Sequence, residues 1–189
     1  MIIFFLVPGD TFYIIFVTST TIAATDANTA TYNAHVNAAA DLSSVKGTDN
    51  ASITWRAMVA TLNDGAQSTG LFTADASKPI YNLNGDKVAD NAGDMFDSNL
   101  DNSVSYSESG VDVCGVSDEV WSGMDNSGTA FATRRLGEGN VLIGFCDSSL
   151  GTWNFAASPP ATDTYRVYAV SPLLTVAAAV TANASGVAW

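Results

Sequence analysis

The stretch Phe12-Tyr-Ile-Ile-Phe-Val-Thr18 is the run of residues on which the fold of this chain depends. Its β-branched and aromatic side chains are typical of a buried strand. The apolar residues before it leave a second interpretation open, in which residues 1–24 are an atypical secretory signal that is cut near Ala23-Ala24. That segment has no basic residue, and Pro8-Gly9-Asp10 divides it into halves that are too short to span a bilayer.

The composition limits the classes of function that are open to the chain. It has 189 residues, of which 47% are hydrophobic and only 14% are charged, and its formal net charge is −12. This length and this apolar content predict one folded domain and exclude a disordered chain. We expect no nucleic-acid partner, because 7 Lys and Arg against 19 Asp and Glu provide no basic surface for phosphates. We also expect no transmembrane helix.

Catalytic chemistry has few candidate residues in this sequence. The single histidine, His35, lies on a predicted helix, where a structural or surface role is favoured over a ligand or catalytic role. Neither a Gly-x-Ser-x-Gly nucleophile motif nor a Gly-x-x-x-x-Gly-Lys phosphate loop occurs. A pair of carboxylates for glycoside hydrolysis stays open, but nothing singles out two of the 19 acidic residues. We therefore expect that the protein is not an enzyme.

Periodicity and turn residues predict a mixed α+β domain. Asp26 can cap a helix that runs to about Leu42. The apolar face of this helix consists of Tyr32, Val36, Ala39 and Ala40. Pro79–Ala89 is the clearest local signal, because Asn84-Gly85 between two extended segments predicts a hairpin with a type I′ turn, in which both central residues have positive φ.

Short apolar runs elsewhere predict further strands that are separated by long loops. The predicted strands include Val120–Gly123, Val141–Phe145, Tyr165–Val170 and Leu173–Val176, and a short helix is predicted near Ala92–Phe96. The polar stretches Asn63–Ser77 and Asp90–Gly110 are predicted loops. Loops of this length often carry function.

The two cysteines, Cys114 and Cys146, have no CxxC spacing, and a lone histidine cannot complete a tetrahedral zinc site with them. An even cysteine count together with many Asn, Ser and Thr and few Lys favours one disulfide in an extracytoplasmic protein. Two buried free thiols are the alternative.

One acidic stretch, Asp97–Glu108, has the spacing of a calcium loop. An EF-hand loop places its oxygen ligands at positions 1, 3, 5, 7, 9 and 12. The residues at these positions are Asp97, Asn99, Asp101, Ser103 (through its carbonyl), Ser105 and Glu108. No amphipathic helix flanks the stretch, and Asp, Asn and Ser also form turns without a metal. A Ca²⁺ site and a solvated turn are both open, and the turn is favoured.

Several segments, taken in order, resemble the collagen-related, endostatin-like branch of the C-type-lectin fold that occurs in secreted and surface proteins of bacteria. The matching segments are Phe16–Ser19, Ala30–Asp41, Thr54–Ala57, Pro79–Asp90, Asp94–Asp97, Val120–Gly123, Gly128-Thr129, Trp153 and Tyr165–Val170. The resemblance implies a C-type-lectin-like α+β domain over residues 12–176, with one main helix packed on short, twisted antiparallel strands and with long loops. Residues 1–11 are then a leader or docking segment, and residues 177–189 are a tail.

The same resemblance has consequences for individual residues. It makes the run that ends at Thr18 the first strand rather than part of a signal, and it pairs Cys114 with Cys146. Sugar-binding lectins of this fold hold calcium and sugar hydroxyls with Glu-Pro-Asn or Gln-Pro-Asp triplets and a Trp-Asn-Asp sequence. This chain has no such triplet, and Trp153-Asn154 continues with Phe155. Calcium-dependent sugar recognition of that type is therefore not supported.

We expect ligands to bind at the long loops of residues 90–110 and 124–160. The candidate ligand-binding residues are Asp125, Asn126, Trp153 and Asn154. Core packing is favoured over sugar stacking for Trp55, Trp121 and Trp153. Trp153 is the best placed of the three for a binding surface, because it follows a glycine and sits in a predicted loop. The leading hypothesis is a non-catalytic recognition or adhesion module, secreted or at the cell surface, that binds a glycan or a protein.

A structural subunit of an extracellular assembly, such as a filament, a sheath or a capsid decoration, is the second hypothesis. The apolar segments Met1–Val7 and Thr175–Trp189 motivate it. Each can dock on a neighbouring copy of the chain, for example by strand addition. The partners are then copies of the chain itself.

Overall fold

The computed structural model describes residues 6–41, 53–115 and 118–177 of the chain. The strands are β1 (Thr11–Val17), β2 (Ile22–Ala23), β3 (Arg56–Ala57), β4 (Ala60–Thr61), β5 (Gly65–Ala66), β6 (Ile80–Asn82), β7 (Lys87–Ala89), β8 (Glu119–Trp121), β9 (Ile143–Phe145), β10 (Thr164–Val170) and β11 (Leu174–Thr175). The helices are α1 (Thr29–Asp41), α2 (Ser68–Leu71) and α3 (Ala92–Met95), with a 3₁₀ helix at Gly151–Trp153. The α+β class is thus confirmed.

A curled, mixed sheet forms the centre of the domain. Its strands follow the order β7-β6-β1-β10-β8-β9, and β2, β3 and β11 pair beside this path. β1 is parallel to β6, and β10 is parallel to β8, whereas β1 and β10 are antiparallel. The prediction of purely antiparallel strands was therefore wrong. Long connections explain the difference, because a chain that passes through α1 and further elements before β6 can return in the parallel direction.

Both faces of β1 are buried, as the sequence predicts. Tyr13, Ile15 and Val17 contribute to one apolar cluster, and Phe16 contributes to the other. The alternation follows from the two-residue period of a strand. The strand extends one residue further towards the N-terminus than the predicted run, because Thr11 pairs with β11.

Helix α1 covers the second of these clusters and contacts β3 and β10. Its predicted apolar face is confirmed, because Tyr32, Val36, Ala39 and Ala40 are all buried. The start of the helix differs from the prediction. Asp26 accepts a hydrogen bond from the Thr31 hydroxyl, while the carboxylate of Asp64 accepts the first-turn N–H of Thr29 at 2.7 Å. The predicted end near Leu42 lies outside the described residues.

β6 and β7 form the predicted hairpin, but its turn is not type I′. The carbonyl of Asn82 accepts the N–H of Gly85 at 3.0 Å, and φ is positive at Gly85 and not at Asn84. This is a three-residue loop with glycine in the left-handed region. The side chain of Asn82 explains the difference, because its Oδ1 accepts the backbone N–H groups of Asn84 and Asp86 and fixes the turn.

The predicted loop at 63–77 contains β5 and α2. Arg56 organises this segment, because its guanidinium donates to the carbonyl of Gly70 and to the side-chain oxygen of Gln67. The other predicted elements are present as β8, β9, β10, β11 and α3, and all of them except β10 are shorter than predicted. β10 begins one residue earlier than its predicted start. No helix among the described residues is both long enough and apolar enough to cross a membrane.

The two cysteines are joined. Cys114 and Cys146 form a disulfide with their Cα atoms 5.8 Å apart, which confirms the pairing that the resemblance implied. The bridge ties the loop before β8 to the end of β9.

Replacing both cysteines by alanine should lower the free energy of unfolding by about 3–4 kcal/mol, because the bridge closes a long loop in the unfolded chain. Urea denaturation of the oxidised wild type and of the double variant measures this difference. A double variant that is less stable by under about 1 kcal/mol contradicts the expectation.

Gly144 of β9 provides a second test of the packing. A Cβ at this position overlaps with the backbone of Trp153, whereas a Cβ at Gly139 meets nothing within 4 Å. Gly144→Ala should therefore lower the free energy of unfolding by about 3 kcal/mol, the upper range for overpacking. Gly139→Ala, the matched control, should stay within about 0.5 kcal/mol. Equal effects of the two substitutions in urea denaturation would show that β9 does not lie against Trp153.

Candidate functional site

A cleft of about 360 Å³ lies on the surface beside the end of α3 and the turn of residues 125–129. The residues that line it are Phe96, Asp97, Ser98, Asp125, Asn126, Ser127 and Phe155. We name it the Asn126 cleft. A second cleft of about 300 Å³ adjoins it towards α2 and α3 and shares Phe96 and Ser127 with it.

The carboxylate of Asp125 builds the turn that forms one wall. Its Oδ1 accepts the backbone N–H groups of Ser127 and Thr129, at 2.9 and 3.0 Å, and also the Ser127 hydroxyl at 2.6 Å. The turn needs glycine at 128, where φ is 73° and where a Cβ would lie 2.8 Å from the ring of Phe96. The turn is therefore packed directly against Phe96.

The lining also contains a residue with a strained backbone, Ser98. Ser98 has a φ of 87°, and among the described non-glycine residues only Thr133 shares a positive φ. Such a conformation costs about 1–3 kcal/mol and is concentrated at functional sites. Asp97 holds the backbone beside Ser98 through its Oδ1, which accepts the N–H of Asn99 at 3.0 Å.

Trp153 and Asn154 lie beneath the cleft and are completely buried. Asn154 Nδ2 donates to the carbonyl of Asp125 at 2.9 Å, and the Trp153 ring packs against Phe96 at a centroid distance of 6.0 Å. The four predicted ligand-binding residues are thus neighbours. The prediction that Trp153 presents its ring on the surface was wrong, because the 3₁₀ helix that it ends turns the ring into the core.

Three buried polar atoms at this place have no hydrogen-bond partner among the described residues. They are Asn126 Oδ1, Trp153 Nε1 and Asn154 Oδ1. A fourth such atom, Arg135 Nε, belongs to a residue that does not line the cleft. A buried polar atom without a partner costs about 1–3 kcal/mol, so native structures satisfy nearly all of them. The three atoms lie together at the base of the cleft, and of their residues only Asn126 lines it.

Aromatic and acidic groups surround these polar atoms. Phe155 is 38% exposed at the rim, and its ring lies 5.6 Å from that of Phe131, which is 39% exposed. Among the described residues, no Lys or Arg lines the cleft, whereas Asp97 and Asp125 do. The cleft therefore combines an exposed ring with negative charge.

Sequence reasoning missed four of the lining residues, Phe96, Ser98, Ser127 and Phe155. A phenylalanine and two serines carry no motif, and only the folded chain brings them to one place. Of these four residues, Phe155 was the easiest to identify from the sequence, because a large apolar side chain directly after Trp153-Asn154 interrupts the polar loop.

Each of the six residues of the predicted calcium loop makes a hydrogen bond or an ion pair with another protein group in this structure. Glu108 is buried and accepts both the N–H of Ser19, at 2.9 Å, and its hydroxyl. Asp101 pairs with Lys87 at 3.1 Å, and Asp97 lines the Asn126 cleft. Local hydrogen bonds hold Asn99, Ser103 and Ser105. The described residues contain no group of three or more His, Cys, Asp or Glu placed to hold a metal. Calcium binding stays a prediction.

The single histidine lies away from the cleft. His35 Nε2 is 3.4 Å from the hydroxyl of Thr20, which lies beside Ser19 and its acceptor Glu108. Burial lowers the pKa of His35, so the neutral ring is favoured. His35 is therefore a neutral ring that contacts a loop, which agrees with the structural role expected for it from the sequence.

Comparison with known proteins adds no family to these observations. No protein-family model matches the chain, and no curated protein matches it.

Glu108→Ala should lower the free energy of unfolding by about 1–3 kcal/mol, because it leaves the N–H of Ser19 without its acceptor. Urea denaturation in calcium and in a chelator distinguishes a Glu108 that accepts the Ser19 N–H from a Glu108 that binds calcium. We expect an equal loss in both solutions, with the exposed Asp101→Asn as the control that changes little. A loss that occurs only in calcium would show that Glu108 is a metal ligand.

Proposed function

We propose that the protein is a non-catalytic recognition module that binds a glycan in the Asn126 cleft. The observation that carries this proposal is the cleft itself, in which the exposed ring of Phe155 lies beside the polar side chains of Asn126 and Ser127. Ligand sites typically combine an apolar surface with a few polar groups that fix orientation.

A sugar ring suits this combination of groups. It has an apolar face of C–H groups and an edge of hydroxyls that donate and accept hydrogen bonds. Phe155 offers an exposed ring for the apolar face, and the side chains of Asn126 and Ser127 in the lining offer polar groups for the hydroxyls.

We place the protein outside the cytoplasm, either secreted or at the cell surface, where it acts in adhesion or ligand capture. The Cys114–Cys146 disulfide supports this setting, because disulfides persist in oxidising compartments. A C-type-lectin-like, endostatin-like domain is part of the proposal. It is supported by one main helix on a curled sheet and by binding residues that lie on long loops.

A non-catalytic role is supported by the residues of the cleft. Its two carboxylates, Asp97 and Asp125, each hold a turn through Oδ1, and the described lining has no His, Cys or Lys. Two carboxylates at one cleft are nevertheless the arrangement that glycoside hydrolysis uses. The binding assay therefore includes product analysis, and hydrolysis of a bound oligosaccharide would replace this proposal by an enzyme.

Titration calorimetry with a panel of oligosaccharides tests the proposal on the whole chain. Phe155→Ala should weaken binding of the panel's tightest ligand about two- to tenfold, because a ring contact of this kind contributes about 0.5–1.5 kcal/mol. Leu150→Ala is the matched control, since Leu150 is exposed and does not line the cleft. The proposal fails if no member of the panel binds, or if the two variants weaken binding equally.

Self-assembly is the second candidate function, and an apolar groove favours it. The groove, of about 290 Å³, lies beside β1 and the β6–β7 turn, and its apolar lining includes Leu6, Phe12, Ile14, Tyr81 and Leu83. Size-exclusion chromatography separates the two candidates. A monomer of 19.6 kDa supports the recognition module, and polymers that dissociate when residues 1–11 are removed support the assembly.

A further inference from the structure

The charge of the Asn126 cleft restricts the ligands that fit it. Asp97 and Asp125 each use Oδ1 to hold a turn, and no donor within the described part of the chain bonds to Oδ2 of either. The described residues of the lining contribute no positive charge to balance them. A negatively charged ligand is therefore repelled, and a neutral ligand leaves the two carboxylates without a counter-charge.

The aromatic lining distinguishes an organic cation from a metal ion. Phe96 and Phe155 both line the cleft. The face of an aromatic ring attracts an ammonium group, and recognition of alkylammonium ligands uses rings together with carboxylates. Calcium needs six to eight oxygen ligands, which phenyl rings do not supply. The described residues also provide no third acidic group at this place.

We infer that the ligand of the Asn126 cleft carries an ammonium group, and that the glycan is an amino sugar with a free amine. This inference rests on the proposed function and names the substrate class of the same site. The ammonium group is held by Asp97 and Asp125 together with the aromatic lining, while Asn126 and Ser127 provide the polar side chains for the sugar hydroxyls.

Titration calorimetry of the whole chain at low ionic strength tests the inference with three probes. They are methyl glucosaminide, its N-acetylated form and the tetramethylammonium ion. The amine should bind at least tenfold more tightly than the acetylated sugar, because acetylation removes the charge and leaves the ring and its hydroxyls. Added salt should weaken binding of the amine.

Asp97→Asn is the test variant, because an asparagine keeps the Oδ1 that accepts from Asn99 and removes only the charge. It should remove most of the preference for the amine over the acetylated sugar. Asp163→Asn, a carboxylate that does not line the cleft, is the matched control and should keep the preference.

The other possible outcomes show whether the ammonium inference, the proposed glycan recognition or both are wrong. Equal binding of both sugars overturns the ammonium inference and leaves glycan recognition in place. Binding of tetramethylammonium alone, lost in Asp97→Asn, supports the ammonium site and overturns glycan recognition. Displacement of the amine by stoichiometric calcium overturns the inference in favour of a metal site. No binding of any probe overturns both.

Discussion

The hydrogen bonding of β1 to β6 on one side and to β10 on the other is the constraint on which the rest of the structure depends. Because β1 is paired on both edges and buried on both faces, it separates the two apolar clusters. β10 extends this sheet to β8 and β9, and Gly144 of β9 lies against the backbone of Trp153. The floor of the Asn126 cleft is thereby fixed to the central strand.

The cleft is formed by turns in which acidic side chains accept hydrogen bonds from backbone N–H groups. Asp125 and Asp97 each satisfy the N–H groups of a turn, and the two turns face the same space. The strain at Ser98 and the unpartnered atoms of Asn126, Trp153 and Asn154 are unfavourable for folding alone. A rigid sheet that supports irregular loops with unsatisfied polar groups is the usual arrangement of a binding site.

Much of this architecture could be predicted from the sequence, because its signals are local. The apolar runs of β1 and α1 and the turn residues of the hairpin identified elements, and Asp125, Asn126, Trp153 and Asn154 proved to be neighbours. The sequence could not predict parallel pairing, because strand direction depends on the path of distant connections. It also could not predict that Trp153 is buried, or that Asn82 selects the hairpin turn, because both depend on contacts made only in the folded chain.

The central claim is that a polar ligand binds in the Asn126 cleft, and the side-chain amide of Asn126, which lines the cleft, is its most direct reporter. In a proton–nitrogen NMR spectrum this resonance is assigned by its loss in Asn126→Asp. During titration with methyl glucosaminide, we predict that it shifts, while the indole of Trp121, which donates to the carbonyl of Ile22, stays unchanged. An unchanged Asn126 resonance, with shifts confined to the β6–β7 hairpin, would contradict the account and place binding at the apolar groove.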